Sequence, residues 1–304
     1  MKIKPSHLLT TGAAVAIANR TPNDAHWYTL AGAPSHTNDK GNPTTLREAR
    51  RENLLPSITT VLGVVDAKGL NRWRENQIAE AVHGATQADG EPLIEFFRRC
   101  IEEARAVPTE AAERGKAIHA VAEATLLGKE IDPGEDVQKR AVIDWIVANV
   151  TKVYFAEKPL VHPELAMAGC ADACVDIKGV QGRVVLDFKT RKFKSFKTHP
   201  TWRAAWYPKD LRQLAFYADC LPDDPAPRVA NIGINTATND PWPAEVKLWE
   251  PDEVAAAIDD VAAARVLWCS ENKYHPAFTV EKFLEIYGTN AGVLDQEPEE
   301  EVAV

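Results

Sequence analysis

The chain has 304 residues, 45% of them hydrophobic, enough for a sizeable core in one large domain or two small ones. No run of about 18 apolar residues occurs, and the apolar stretch in "MKIKPSHLLTTGAAVAIANR" is too short for a signal peptide, which excludes a membrane span and points to the cytoplasm. A net charge of −9 argues against nucleic acid on average, and five scattered cysteines suit a reducing compartment better than a disulfide framework.

In chain order, residues 1–55 are rich in Pro, Asn, Thr and Gly and predict a loop-rich arm with one hairpin around "HWYTL". Ser57 or Thr59 then caps an apolar stretch, and helix resumes after Gly69 with Leu70 and Trp73 on one face. In "EPLIEFFRRCIEEARAV", Leu93, Phe96, Phe97, Cys100 and Ile101 keep i, i+3, i+4, i+7, i+8 spacing, the mark of a core-facing helix. Pro108 ends it, and Thr109 and Gly128 bracket the next. "DVQKRAVIDWIVANV" is another helix.

From about residue 151 the pattern changes to short Val-, Ile- and aromatic-rich runs: "KVYFAE", "AGCADACVDIKG", "GRVVLDFKT" and "RVANIGINT". A helix with Leu211, Leu214, Ala215 and Ala218 on one face crosses between the last two, and "PDEVAAAIDDVAAARVLW" adds a late helix. Five carboxylates in "LDQEPEEEVAV" make residues 286–304 an acidic tail expected to be disordered. The average charge hides a contrast: from Lys189 to Arg212 eight Lys or Arg stand against the single acid Asp210.

The chemistry concentrates where "VVLDFKT" stops being apolar. Val184 to Leu186 read as a strand covered on both faces, so Asp187 falls near its end and Lys189 points to the same side. The preceding strand offers Asp172 and Asp176, and a Gly179–Gly182 turn joins the two. Paired strands bring an acid from each together, an arrangement that repels unless a hard cation sits between. An ordinary salt bridge is the plain alternative for Asp187 and Lys189. His119 has Glu123 at i+4, a pattern equally suited to a core histidine, and "HAVAE" lacks the second His of a zinc protease motif. Glu157 ends its strand beside Pro159, and Gln213 and Tyr217 share one flank of the crossover helix. Cys170 and Cys174, spaced CxxxC without a second pair, read as small buried thiols.

In order, "ERGKAIH", a Glu-ending strand, "AGCAD", "VVLDFKT" and "RQLAFYA" resemble the PD-(D/E)XK nuclease superfamily, specifically its RecB-like branch with phage recombination exonucleases and CRISPR adaptation nucleases. "LPSITTVLGVVDAKGLNRWREN" is similar to the helical lead-in of phage members, so the likeness runs from about Leu55 to about Leu267. It implies a restriction-endonuclease-like α/β fold, a central mixed β-sheet flanked by helices behind a helical N-terminal half. Residues 56–285 would form one nuclease domain: lead-in 56–150, sheet core 151–236, and C-terminal strand and helix 244–269. His119, Asp172 (in the family's Gly-x-x-Asp pattern from Gly169) and Asp187 would hold one or two Mg²⁺ or Mn²⁺ ions, with Lys189, Glu157, Gln213 and Tyr217 completing the catalytic set. The four-cysteine set of iron–sulfur members has no counterpart here, so no cluster is expected.

The resemblance implies a metal-dependent deoxyribonuclease, an exonuclease acting on DNA ends in recombination, repair or phage DNA processing. Its alternatives are a structure-specific endonuclease and a non-catalytic DNA- or protein-binding module on the same fold. DNA would approach over the basic run, where Arg191, Lys192, Lys194, Lys197, Arg203 and Arg212 supply phosphate contacts and Phe193, Phe196, Trp202, Trp206 and Tyr207 supply stacking surfaces. A recombination or single-strand annealing protein and a second copy of the chain are further candidate partners. A membrane is not one, and the compartment is the cytoplasm, the host's for a phage-encoded chain.

Overall fold

The computed structural model describes residues 26–65, 68–196, 199–221, 226–236, 244–278 and 281. Residues 1–25 of the arm, Lys197 and the acidic tail 286–304 lie outside the described residues, as do the side chains of Leu70, Trp73, Lys194, Phe196, Trp202 and Arg203. The chain divides into two compact units, one of residues up to 64 and from 119 on, the other of residues 65–118.

The larger unit opens with β1 (Trp27–Tyr28), α1 (Leu46–Glu52), β2 (Leu55–Pro56) and α2 (Ile58–Val61). Composition alone concealed α1, which forms because Thr45 and Glu48 close a reciprocal capping box over its first turn. The chain turns back on β1 as expected, Tyr28 bridging Pro34 antiparallel with the Ser35 N–H donating to the Trp27 carbonyl at 2.8 Å, and β1 also pairs antiparallel with β2; Trp27 and Leu54 join the main core. Ser57 caps α2, its hydroxyl accepting the Thr60 N–H at 3.0 Å.

The smaller unit holds α3 (Lys68–Gly84) and α4 (Leu93–Leu126) as far as residue 118. α4 runs through Pro108 instead of ending there. A proline deletes one backbone bond in a helix interior, and here the turns on both sides outweigh that loss. The expected core stripe is also narrower: Phe96 and Cys100 are buried, whereas Leu93 and Phe97 are exposed.

The larger unit continues with α5 (Val137–Asn149), capped by Asp136, which accepts from the N–H groups of Gln138 and Lys139. Then come β3 (Val150–His162), β4 (Met167–Ile177), β5 (Val184–Arg191), β6 (Lys194–Phe196), β7 (His199–Arg203), α6 (Pro208–Asp219), β8 (Arg228–Asn235), β9 (Ala244–Leu248) and α7 (Pro251–Asn272). The protein is thus mixed α/β around a five-stranded sheet ordered β3-β4-β5-β8-β9, with β5 and β8 parallel and the other neighbours antiparallel. The parallel pair requires a crossover, and α6 provides it.

Alternation along β5 sorts its residues. Val185 packs into the core with Leu211 and Leu214 of α6, while Phe188 meets Trp145 of α5 edge-on at 6.1 Å between ring centres. Asp187 and Lys189 therefore share the α6 side with Val185. Within the basic run β6 and β7 pair antiparallel, and Phe193, expected as a stacking surface, is fully buried as a core residue. No helix among the described residues is long and apolar enough to cross a membrane.

Candidate metal centre

Register assembles the site. Ladder pairs Ala173↔Leu186 and Cys174↔Val185, continued by one residue, set Asp172 opposite Asp187. Glu157 falls between the pairs Ala156↔Ala173 and Lys158↔Ala171, opposite Asp172 on its other side. On β8, Asp187 pairs with Asn231, which pairs in turn with Lys247 of β9. Glu157, Asp172, Asp187, Asn231 and Lys247 thus form one row across all five strands.

Two departures from the sequence-based expectation shape that row. β3 does not end at Glu157; it continues through Pro159, a residue that strands at a sheet edge, like β3, tolerate. Glu157 itself adopts φ 47°, a left-handed conformation uncommon for a residue with a Cβ, and its Oε2 accepts the Cys170 thiol at 3.3 Å. Backbone outliers of this kind cluster at functional sites. Cys170 thus has a place beside the site that its spacing from Cys174 did not reveal. The five cysteines form no disulfide.

His119 of α4 completes the acidic end of the row. Its Nδ1 lies 3.1 Å from Asp172 Oδ2 and 4.0 Å from Glu157 Oε1, and one ligand atom from each of the three residues lies within 4.8 Å of the others. Asp172, 6% exposed, is fixed from behind by the Phe188 N–H, which donates to Oδ2 at 2.8 Å. Asp176, its competitor in the sequence, accepts the Tyr154 hydroxyl at 3.0 Å instead and pairs in register with Lys152.

Asp187 is 1% exposed and bonded at both oxygens: Lys189 Nζ donates to Oδ1 at 2.6 Å and Asn231 Nδ2 to Oδ2 at 2.7 Å. Burial pushes its carboxyl up to about 6, Lys189 and His119 oppose that shift, and Asp172 reinforces it. Burial pulls the Lys189 ammonium down, but Asp187 and Asp172 outweigh it and leave its pKa above the usual lysine value. Lys189 also donates to Gln213 Oε1 at 3.3 Å, and Gln213 Nε2 to the Tyr217 hydroxyl at 3.1 Å. Burial raises the Tyr217 phenol well above its ordinary range, so it stays neutral. The close approach of Tyr217 explains Gly169: a Cβ there would sit 2.7 Å from Tyr217 Cε1.

The candidate DNA contacts divide differently. Arg191 is held by both oxygens of Asp210 at 2.8 and 2.9 Å, and Arg212 by Asp260 of α7 at 2.7 Å. Lys192 is exposed, and Lys194, Lys197, Trp202 and Arg203 lie outside the described side chains. Asn231 and the Trp249 indole behind it, which donates to Asn231 Oδ1 at 2.8 Å, were missed by sequence reasoning. A polar Asn inside "RVANIGIN" was the available signal, since such a residue in an apolar strand needs a partner. No protein-family model and no curated protein matches the chain.

One imidazole nitrogen and several carboxylate oxygens are a donor set for a hard or borderline divalent cation. Glu157, Asp172 and Asp187 lie in one row, and the repulsion by which Asp172 helps burial hold the Asp187 carboxyl up is what a cation placed among them would relieve.

Proposed function

We propose that the protein is a metal-dependent deoxyribonuclease of the PD-(D/E)XK class with a restriction-endonuclease-like core, acting as an exonuclease on DNA ends. The observation that carries this reading is the row of three carboxylates with His119 beside its middle member and Lys189 on its third. The order three strands, crossover helix, strand around that row supports the class.

His119, Glu157, Asp172 and Asp187 are the residues that would hold Mg²⁺ or Mn²⁺. Such an ion neutralises a scissile phosphate and lowers the pKa of a bound water. Lys189 stabilises the charge that grows on the phosphate oxygens and orients the attacking water, and its position is set by Asp187 on one side and Gln213 on the other. The ammonium can only donate, so it holds the Gln213 oxygen toward itself, and the amide NH₂ is left to donate to the neutral Tyr217 hydroxyl. The β6–β7 pair and Lys192 form the approach for DNA phosphates.

Incubation with Mg²⁺ or Mn²⁺ and three substrates tests the reading: end-labelled linear duplex, single strand and covalently closed circle. Ion-dependent loss of label from linear DNA with the circle intact is expected. A cut circle would make the protein an endonuclease, and end binding without cleavage would make it a non-catalytic module.

A further inference from the structure

We infer that Asn231 and Trp249 are positioning residues that set which way the Asp187 carboxylate faces and, through it, the ion affinity of the site. The inference rests on the metal-site reading above. Asn231 is fully buried, and an amide has one donor end and one acceptor end that exchange on a half-turn. An indole N–H can only donate. With Trp249 Nε1 2.8 Å from Asn231 Oδ1, the oxygen end is fixed toward β9, and the NH₂ end is committed to Asp187 Oδ2 at 2.7 Å. The flipped amide would set oxygen against carboxylate and N–H against N–H in a buried site, two mismatches at once.

The consequence falls on Asp187. Oδ2 is occupied by Asn231, so Oδ1, the oxygen that Lys189 contacts, is the one left for the site. β5 and β8 supply Asp187 and Asn231 at paired ladder positions, and Trp249, the residue after β9, completes the relay. Trp249 is itself held, 8% exposed, with Lys247 Nζ 4.4 Å over its ring. Carboxylates that bind ions depend on outer partners of this kind, whose loss weakens binding by about 10–100-fold.

Two measurements on the full chain test this. In metal-free protein labelled with ¹⁵N-tryptophan, the Trp249 indole proton, assigned by its absence in Trp249→Phe, should exchange slowly and shift in Asn231→Ala. In a Mn²⁺ titration read by electron paramagnetic resonance, Trp249→Phe and Asn231→Ala should each bind at least about tenfold more weakly than wild type. The double variant should bind no more weakly than Asn231→Ala alone, because the indole acts only through the amide. Wild-type affinity in Trp249→Phe, or losses that add in the double variant, would overturn the inference. Once assigned, the indole proton is read in wild type, where exchange at the rate of free solvent also overturns the inference. A slowly exchanging indole in a wild-type protein that binds no Mn²⁺ would place the failure in the metal reading instead.

Discussion

Asp187 and Arg191 lie four residues apart on β5, yet they occupy opposite situations. Asp187 is buried and bonded by Lys189 and Asn231, pointing its chemistry into a row of carboxylates. Arg191, at the end of the same strand, spends its charge on Asp210, as Arg212 does on Asp260. Charge density along the chain therefore says little about availability. Cations that look like a DNA track are partly neutralised within the fold, while acids that look like one salt bridge are gathered at a single site.

The sharpest way to break this contrast is at Lys189 and Asp187. Lys189→Ala should reduce ion-dependent cleavage by about 10²–10³-fold and lower the metal-free melting temperature by stranding the buried Asp187, and Asp187→Ala should abolish cleavage. Kinetics beside thermal denaturation check this, and activity retained by either variant would leave the pair an ordinary salt bridge. Next in size is Gly169→Ala, which drives a methyl into Tyr217; overpacking there should cost about 1–3 kcal/mol in denaturant unfolding and cut activity through Gln213 and Lys189.

The buried acid also has a pH signature in metal-free protein. Burial holds the Asp187 carboxyl at about 6, above its ordinary 3.8, so the folded state binds this proton more tightly than the unfolded state does. Its contribution is fully present below about pH 4 and is lost as pH rises through about 6. Asp187→Asn should remove that decline from a stability-versus-pH curve measured in chelator, and an unchanged curve would contradict the assignment. A smaller effect is expected at Glu157. Glu157→Gly relieves the φ 47° conformation and should stabilise the metal-free fold by about 1 kcal/mol while weakening Mn²⁺ binding. The smallest concerns the surface: Lys192→Ala should lower the salt slope of DNA binding by about 1, whereas Arg191→Ala should act mainly on stability by stranding Asp210.

How much of this was legible in the sequence follows from where each partner lies. Asp187 and Lys189 announced themselves by ending an apolar run, and Gln213 and Tyr217 by their i, i+4 spacing beside an apolar stripe; both signals are local. Strand alternation alone gives Asp172 and Asp176 the same face, so only the Gly-x-x-Asp resemblance favoured Asp172, and the β4–β5 register then sets it opposite Asp187. Glu157 was noticed for the wrong reason: Pro159 read as a strand end, whereas an edge strand carries it. Asn231, Trp249 and the acids that quench Arg191 and Arg212 stayed hidden, since each meets its partner through tertiary pairing across the α6 crossover or between helices. The continuous α4 shows the same limit, a local breaker overridden by the turns around it.

Mn²⁺ binding to the wild-type chain and to Asp172→Asn, followed by electron paramagnetic resonance, tests the central claim most directly. The substitution keeps an oxygen for the Phe188 N–H but removes the charge between His119 and Glu157. Saturable binding of one or two ions in wild type, weakened by at least about tenfold in Asp172→Asn, is the predicted result. Equal affinity in the two proteins, or no saturable binding in either, would contradict a metal centre at this row of carboxylates.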